Sequence, residues 1–557
     1  MIPSDFKEGF FILILDISNL KKYYGDRLVL DIKDLKVYSG DKIGLVGLNG
    51  SGKTTLLNLV ANQSNPDEGF IKSYMDPFYI KQLEDDSDKE VDSIYASKFG
   101  LKDRTKEFMS GGELTRLKIA KFLTDNRKFL LADEPTSNLD FEGIKLLLEK
   151  LSNFDGSMII TSHDRDLLDK VCNKIIELED GKIKLYEGNY SDYKIQKDLE
   201  DRTKRLEYQK YVKEKRRLEG VMIDTKIKSG NIIRTPKRMG NSEARLHKMG
   251  GQNSKKKLDN RVKAIASRLD KLETKENVRE TEKIKVDILG NEIFSKIVIE
   301  AKNISKSFGD RILFKNSDFQ IYNKSKVALI GNNGSGKTTL LKMILEKSNG
   351  ISISRKANIG YFSQSLSILD ENKTIIENLV EDGKFKEVDA RNILARFLFK
   401  REDVYKKVGV LSGGERVKVS LAKVIMSDFN ILILDEPTNY LDIYSIEVLE
   451  ESLINYDGTI LFVSHDRRLV DGVADTIMMI ENGEINTFMG TFSELNNRED
   501  LKELDIKDIL DQKAVLENKL SNVIGRLSSP SKNDDIEALD LEYKKLLGEL
   551  NKIKDKI

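Results

Sequence analysis

The chain has 557 residues, more than one hydrophobic core can organise, because cores stop growing at roughly 250–300 residues; two or more domains follow. Lys plus Arg number 93 and Asp plus Glu 92, a formal net charge of +1 that argues against a globally basic nucleic-acid binder. Every clean apolar run falls short of the roughly 18–20 residues of a membrane helix, and the single cysteine, Cys172, excludes an internal disulfide and a cysteine metal cluster, so a reducing cytoplasm is expected.

In chain order, the apolar run at residues 10–15 follows Asp5 and Glu8 and is closed by Asp16, so it reads as a buried strand and not as a signal peptide. A second β-rich run, residues 42–46, leads into Gly47-Leu48-Asn49-Gly50-Ser51-Gly52-Lys53-Thr54-Thr55, and an apolar helix follows. After Gln82 come Ser110-Gly111-Gly112-Glu113, an apolar strand at 129–133 ending in Asp133-Glu134, and another at 157–162 ending at His163.

The stretch from about 188 to 297 is different in kind. Residues 193 to about 224 are dense in Lys, Arg, Glu and Leu, which predicts a long helix. Residues 228–240 form a loop broken by Gly230, Pro236 and Gly240, and helical spacing returns from 242 to about 282 through Val262, Ile265, Leu269 and Leu272. A helical hairpin with an irregular tip is expected. Residues 201–270 hold 21 basic and 8 acidic side chains, a local charge of +13, which leaves −12 for the remainder. Such segregation favours phosphate contacts and salt-sensitive binding.

The earlier landmarks then return. Gly331-Asn332-Asn333-Gly334-Ser335-Gly336-Lys337-Thr338-Thr339 repeats the glycine loop, with Lys337 lying 284 positions after Lys53. Ser412-Gly413-Gly414-Glu415, Asp435-Glu436 and His465 each lie 302 positions after their first counterparts. Gln364 lies 282 after Gln82, so the second copy has 20 more residues between its glutamine and its serine-glycine motif. The chain is a tandem duplication. Beyond it, residues 501–527 and 536–557 form two helical stretches around 528–532, read as a small coiled-coil tail.

Each Gly-x4-Gly-Lys-Thr sits between a strand and a helix, where glycines let consecutive backbone N–H groups turn onto phosphate oxygens at the positive end of a helix. Lys53 and Lys337 are expected to reach the β- and γ-phosphates, and Thr54 and Thr338 to ligate Mg2+. Asp133 and Asp435 are expected to hold Mg2+ through water, on strands adjacent to the phosphate-loop strand, leaving Glu134 and Glu436 to deprotonate the attacking water. His163 and His465, two of only three histidines, end equivalent strands and are expected to contact the γ-phosphate.

Together these motifs resemble an ATP-binding cassette ATPase, twice over. The resemblance implies an α/β fold: two P-loop ATP-binding cassette domains (1–188 and 297–497) joined by a long α-helical hairpin linker (189–296), with a C-terminal helical extension (498–557). It assigns Gln82 and Gln364 to the glutamine loops and the Mg2+ shell, Asp140 and Asp442 to the D-loops, and Tyr24 and Phe308, each before Gly-Asp-Arg, to stacking on adenine. It also pairs the two cassettes head to tail within one chain, Lys53 opposite Ser412 to Glu415 and Lys337 opposite Ser110 to Glu113. Met109 stands where such signatures usually have leucine, as Leu411 does.

With a long helical linker, the sequence Asp-Glu-Pro-Thr-Asn-Tyr-Leu-Asp at 435–442 and Ser-His-Asp-Arg in both copies, the chain is similar to the ABC-F subfamily. That resemblance implies a 70S ribosome partner, entry into the tRNA exit site beside the P-site tRNA, contact with rRNA, and no membrane. The short first cassette, the run at 236–247 and the helical tail look like the antibiotic-resistance type, which protects ribosomes from pleuromutilins, lincosamides and streptogramin A. The linker-tip candidates for ribosome contact are Lys228, Ile232, Ile233, Arg234, Lys237, Arg238, Met239, Arg245 and His247. The rival readings are a housekeeping ABC-F translation factor and the ATPase subunit of a drug transporter.

Overall fold

The computed structural model describes residues 12–81, 111–125, 127–137, 139–231, 241–272, 295–309, 311–363, 368–381, 386–399, 402–427 and 429–498, with isolated positions of the tail between 516 and 548. Cα proximity divides the chain into two compact units, one drawn from 1–81, 127–135 and 151–283, the other from 82–126, 136–150 and 284–557.

In the first copy β1 (Leu13–Tyr24) and β2 (Arg27–Tyr38) form an antiparallel hairpin with β4 (Glu68–Ser73) on the free side of β1. The run expected at 10–15 therefore enters a strand only at Leu13; Phe10 and Phe11 lie outside the described residues. The main sheet has the order β5 (Phe78–Ile80), β6 (Phe129–Asp133), β7 (Ser157–Thr161), β3 (Lys42–Val46), β8 (Lys174–Glu179), β9 (Lys182–Glu187), all parallel except β9. The second copy repeats it as β14 (Ile359–Phe362), β15 (Ile431–Asp435), β16 (Thr459–Val463), β12 (Lys326–Gly331), β17 (Thr476–Glu481), β18 (Glu484–Met489). Strands β6, β7, β15 and β16 are buried along their whole length, as strands covered on both faces must be. Each fully buried Leu or Ile there contributes roughly 2 kcal/mol of transfer free energy.

One expectation fails. The strand carrying the acid pair is not next to the phosphate-loop strand: β7 lies between β3 and β6, and β16 between β12 and β15. Parallel neighbours are joined by long crossovers, so strand order is independent of motif order along the chain. The consequence is chemical, because the histidine-bearing strand now ends beside both the acids and the glycine loop.

The linker is two helices, α5 (Tyr190–Asn231, 42 residues) and α6 (Asn241–Asp270, 30 residues). At 1.5 Å per residue α5 is about 63 Å long. Composition placed its end near 224; it runs on through Gly230 because tertiary packing overrides the roughly 1 kcal/mol cost of a helical glycine. Leu218, Thr225, Ser229 and Ile265 are buried, and Ser229 Oγ donates to Asp259 Oδ1 across the hairpin at 2.6 Å. The described helix α6 stops at Asp270, short of the expected 282; residues 273–294 lie outside the described set. Among the described residues no helix is long and apolar enough to cross a membrane. Described positions of the tail are helical, and Val523 and Leu546 are buried with Leu516 and Leu520 against them. The expected coiled coil falls largely outside the described residues.

The 20 additional residues of the second copy lie in the segment that holds α8 (Ile375–Val380) and α9 (Glu387–Arg396), whose Ile375, Ile393 and Leu394 join the second unit's core.

Candidate functional site

Each glycine loop is shaped by backbone angles that only glycine adopts freely. Gly47, Gly50 and Gly52 have φ of +156°, +75° and +107°; Gly331, Gly334 and Gly336 have +152°, +76° and +105°. A Cβ on Gly47 would sit 2.5 Å from the Leu178 carbonyl oxygen, and one on Gly331 2.9 Å from that of Ile480. Gly52 and Gly336 then cap α1 (Lys53–Val60) and α7 (Lys337–Leu345) without a side-chain acceptor, leaving the first amides of each helix directed at the loop. Lys53 Nζ donates to the carbonyls of Gly47 (2.8 Å) and Leu48 (3.1 Å), and Lys337 Nζ to those of Gly331 (2.8 Å) and Asn332 (3.3 Å). Burial lowers the Lys337 ammonium below its ordinary value, with Glu436 opposing.

Ser51 Oγ and Ser335 Oγ are buried and carry no hydrogen-bond partner among the described residues. An orphan hydroxyl, inward amides and an ammonium in one loop fit a polyphosphate anion. Thr55 and Thr339 are half-buried in the first turns of α1 and α7, while Thr54 and Thr338 are exposed there. Thr338 Oγ1 donates to Asp435 Oδ1 at 3.3 Å, so one hydroxyl and one carboxylate of a candidate Mg2+ shell meet in the second copy. In the first copy Asp133 Oδ1 instead accepts from Thr161 Oγ1 at 2.5 Å. Burial raises the Asp435 carboxyl.

Glu134 and Glu436 stand immediately after β6 and β15 with φ of +50° and +51°, left-handed conformations that cost a non-glycine residue about 1–3 kcal/mol. The bend is held by the Glu134 N–H donating to the Thr161 carbonyl (3.1 Å) and the Glu436 N–H to that of Val463 (3.0 Å). His163 Nε2 lies 3.3 Å from Glu134 Oε1, and His465 Nε2 3.2 Å from Glu436 Oε1. Burial pushes both glutamate carboxyls up to about 7, against the pull of Lys53 and Lys337. Burial, with Lys337 nearby, pushes the His465 imidazole down to about 4. The strained bend and the Glu–His pairing were not legible in the sequence, although the 302-residue recurrence of both residues hinted at a joint role.

These shifts carry a stability consequence. Each glutamate has an ordinary value of 4.5 and a folded value of about 7, so the native state binds more protons in that interval and stability falls as pH rises through it. Each buried carboxylate costs about 3 kcal/mol at pH 8. In nucleotide-free protein the Glu134→Gln/Glu436→Gln variant is expected to melt several degrees higher than wild type at pH 8 and equally at pH 4. Thermal melts across that range with parallel curves would refute the shifts.

Asp140 caps α3 (Phe141–Ser152) by accepting from the Gly143 N–H at 3.0 Å, and also accepts from the Asn333 N–H at 3.2 Å. Burial opposes its ionisation, but Arg116 and these N–H donors hold it below the usual carboxylate range. Asp442 likewise caps α11 (Ile443–Ile454) through the Ser445 N–H (2.9 Å); against burial, its ion pair with Lys418 (2.7 Å) holds it low. Arg116 and Lys418 escaped the sequence reading, yet they are cations exactly one repeat apart.

Ser412 and Glu415 form a reciprocal capping box on α10 (Gly413–Met426), the Ser412 N–H donating to Glu415 Oε2 at 2.9 Å. Their spacing thus has a structural cause of its own. Gly413 does not, since a Cβ there would meet nothing within 4 Å. Gly111 and Gly112 open α2 (Gly111–Thr124), which also carries Glu113, and Gly414 follows Gly413 in α10. Tyr24 and Phe308 are 57% and 59% exposed at the ends of β1 and β10 (Ile297–Phe308), so neither is a core aromatic. Asn49 lies in the first glycine loop. Gln82, Ser110, Gln364, Ile232, Ile233, Arg234, Lys237, Arg238 and Met239 lie outside the described residues; Lys228 is exposed in α5, and Arg245 and His247 belong to α6.

A family model described as ABC transporter matches residues 30–94 and 314–439. The chain is similar to the ribosome protection protein VmlR of Bacillus subtilis (strain 168), 34% identical over 88% of this chain and 89% of that protein. It is similar to ABC transporter F family member 5 of Arabidopsis thaliana, 30% identical over 89% and 80%, and to the erythromycin resistance ATP-binding protein MsrA of Staphylococcus epidermidis, 34% identical over 78% and 90%. Among solved structures, the archaeal ribosome recycling factor aABCE1, in complex with stalk protein aP1, superposes with a TM-score of 0.57 at 20% identity, covering 86% of this chain and 91% of that one. That likeness is one of fold.

Proposed function

This chain belongs to the ABC-F family of ATP-binding cassette ATPases, and from that premise we propose that it hydrolyses ATP at both glycine loops to time the entry and release of its helical hairpin on the ribosome. Lys53 and Lys337, Ser51 and Ser335, Thr55 and Thr339 and the loop amides bind the phosphates, and Tyr24 and Phe308 stack on adenine. Thr54 and Asp133, and Thr338 and Asp435, with Gln82 and Gln364, hold Mg2+, which when bound neutralises developing charge on the phosphates. Glu134 and Glu436, at about 7, take the proton from the attacking water, and the neutral imidazole of His465 steadies its glutamate. The lack of any steric need for glycine at Gly413 supports close approach of a phosphate to that signature.

The observation that carries the ribosome reading is the segregation of charge. A hairpin of +13 on a chain of +1, opened by a helix of 42 residues, concentrates the charge that contact with a polyanion requires. The relatives named for ribosome protection and erythromycin resistance favour the protective role. The protein is then a cytoplasmic monomer that occupies the tRNA exit site and uses the tip, 228–247, to displace pleuromutilin, lincosamide and streptogramin A from the peptidyl-transferase centre. Expression in a drug-sensitive bacterium should raise the inhibitory concentration of at least one of these classes several-fold. No rise for any of them would defeat the protective role in favour of a housekeeping factor, and co-fractionation with a permease would favour the transporter subunit.

A further inference from the structure

The root of the first linker helix is fastened to its cassette by a buried carboxylate that the mechanism above does not use. Glu177, on β8, is 4% exposed. Its Oε1 accepts from the Tyr193 hydroxyl at 2.9 Å, and its Oε2 from Lys197 Nζ at 2.7 Å and the Tyr186 hydroxyl at 3.2 Å. Tyr193 and Lys197 lie one turn apart on the same face of α5, and Tyr186 is on β9. The Tyr186 and Tyr193 rings meet edge to face, with centroids 4.9 Å apart. One carboxylate thus joins the central sheet, its antiparallel edge and the first two turns of the linker helix.

The same strand touches the nucleotide loop. Glu177 is in register with Val46, the residue before Gly47, and the next carbonyl, of Leu178, is the one that a Cβ on Gly47 would strike. The route from the glycine loop to the helix root is two adjacent strands and one side chain.

The duplicated cassette supplies an internal control. At the same 302-residue offset, Glu177 becomes Met479, Tyr186 Phe488, Tyr193 Leu495 and Lys197 Glu499. The carboxylate and both phenol hydroxyls are replaced by apolar side chains, and the lysine by a residue of opposite charge, in the copy that leads into the tail and not into the hairpin. The helix start itself is common to both: Ser191 is bound by Asp169 through N–H and hydroxyl, both at 2.7 Å, and Ser493 by Asp471 at 2.8 and 2.7 Å. The serine anchor is thus common to both cassettes, whereas the carboxylate clasp belongs to the cassette from which the hairpin starts.

We propose that Glu177, with Tyr186, Tyr193 and Lys197, is a positioning group that makes the first linker helix move as one body with the first cassette, so that nucleotide-driven motion there reaches the hairpin. Desolvation offsets much of the attraction in a buried ion pair, so the role assigned to this one is to fix a single geometry and not to add stability. An apolar contact at this place would hold the helix near the sheet but allow it to rock.

The test is a distance measurement between spin labels at Lys72→Cys on β4 and Lys213→Cys on α5, both exposed positions. Native Cys172 is 6% exposed with its thiol pushed up to about 12 by burial, so it stays unlabelled. Wild type should show one narrow distance, alike without nucleotide and with a non-hydrolysable ATP analogue. The variant Glu177→Met/Tyr186→Phe/Tyr193→Leu carries the side chains that already pack in the second cassette, so it should fold, and its distribution should broaden. With basal kcat and KM for ATP unchanged, its stimulation by ribosomes should fall at least about fivefold. A distribution as narrow as wild type, or a broadened one with undiminished stimulation, overturns the inference. The stimulation arm rests on the ribosome reading; a wild type indifferent to ribosomes would defeat that reading alone and leave the distance arm to decide the clasp.

Discussion

Glu134→Gln combined with Glu436→Gln is expected to lower ATP turnover at least about a hundredfold, the scale of a lost general base. Each single variant should lose at least about half of the turnover, because both copies hold the same residues in the same strained bend. Nucleotide affinity should hold or tighten, since glutamine keeps the shape while removing a carboxylate from beside the phosphates. The pH profile identifies the group. A base at about 7 makes kcat/KM rise with pH through that value and level off above it, whereas an imidazole at about 4 is already neutral throughout. Phosphate release and equilibrium nucleotide binding, measured from pH 5.5 to 9, decide the matter. A single variant with undiminished turnover would remove that glutamate from the reaction.

Reversing four exposed hairpin lysines, Lys226, Lys228, Lys256 and Lys257, to glutamate should cost at least about a hundredfold in ribosome affinity at moderate salt. Four reversals remove eight charges and take the 201–270 segment from +13 to +5. If each lysine meets one phosphate, the slope of log affinity against log salt should become shallower by about 3. Fold and basal ATPase should be untouched, because these side chains point to solvent and lie outside both glycine loops. Co-sedimentation with ribosomes at several salt concentrations, in a non-hydrolysable ATP analogue, reads the result. Equal affinity and slope in the variant would place the ribosome contact elsewhere.

Local backbone chemistry was the most legible part. A glycine loop is nine consecutive residues whose φ values and helix cap are set within the segment, and the two copies agree within four degrees at Gly47 and Gly331, Gly50 and Gly334, and Gly52 and Gly336. Strands 129–133 and 431–435 were legible for the same reason, since a strand buried on both faces must be continuously apolar. Helix ends were less so. The first linker helix outran its compositional signal to Asn231 because Thr225 and Ser229 are buried, which no intrahelical rule anticipates.

The duplication, the two phosphate-binding motifs, the family and the segregation of +13 from −12 are properties of residue order, so the sequence alone determined them. Tertiary structure decided that β7 and β16 stand between the acid strands and the glycine-loop strands, and so that Glu134 meets His163 and Glu436 meets His465. It also raised those glutamates to about 7 and gathered Glu177, Tyr186, Tyr193 and Lys197 from two strands and a helix. The reason is common to all three. Desolvation and side-chain convergence depend on which strands become neighbours, and long crossovers leave that choice to the packing of the whole sheet and not to spacing along the chain.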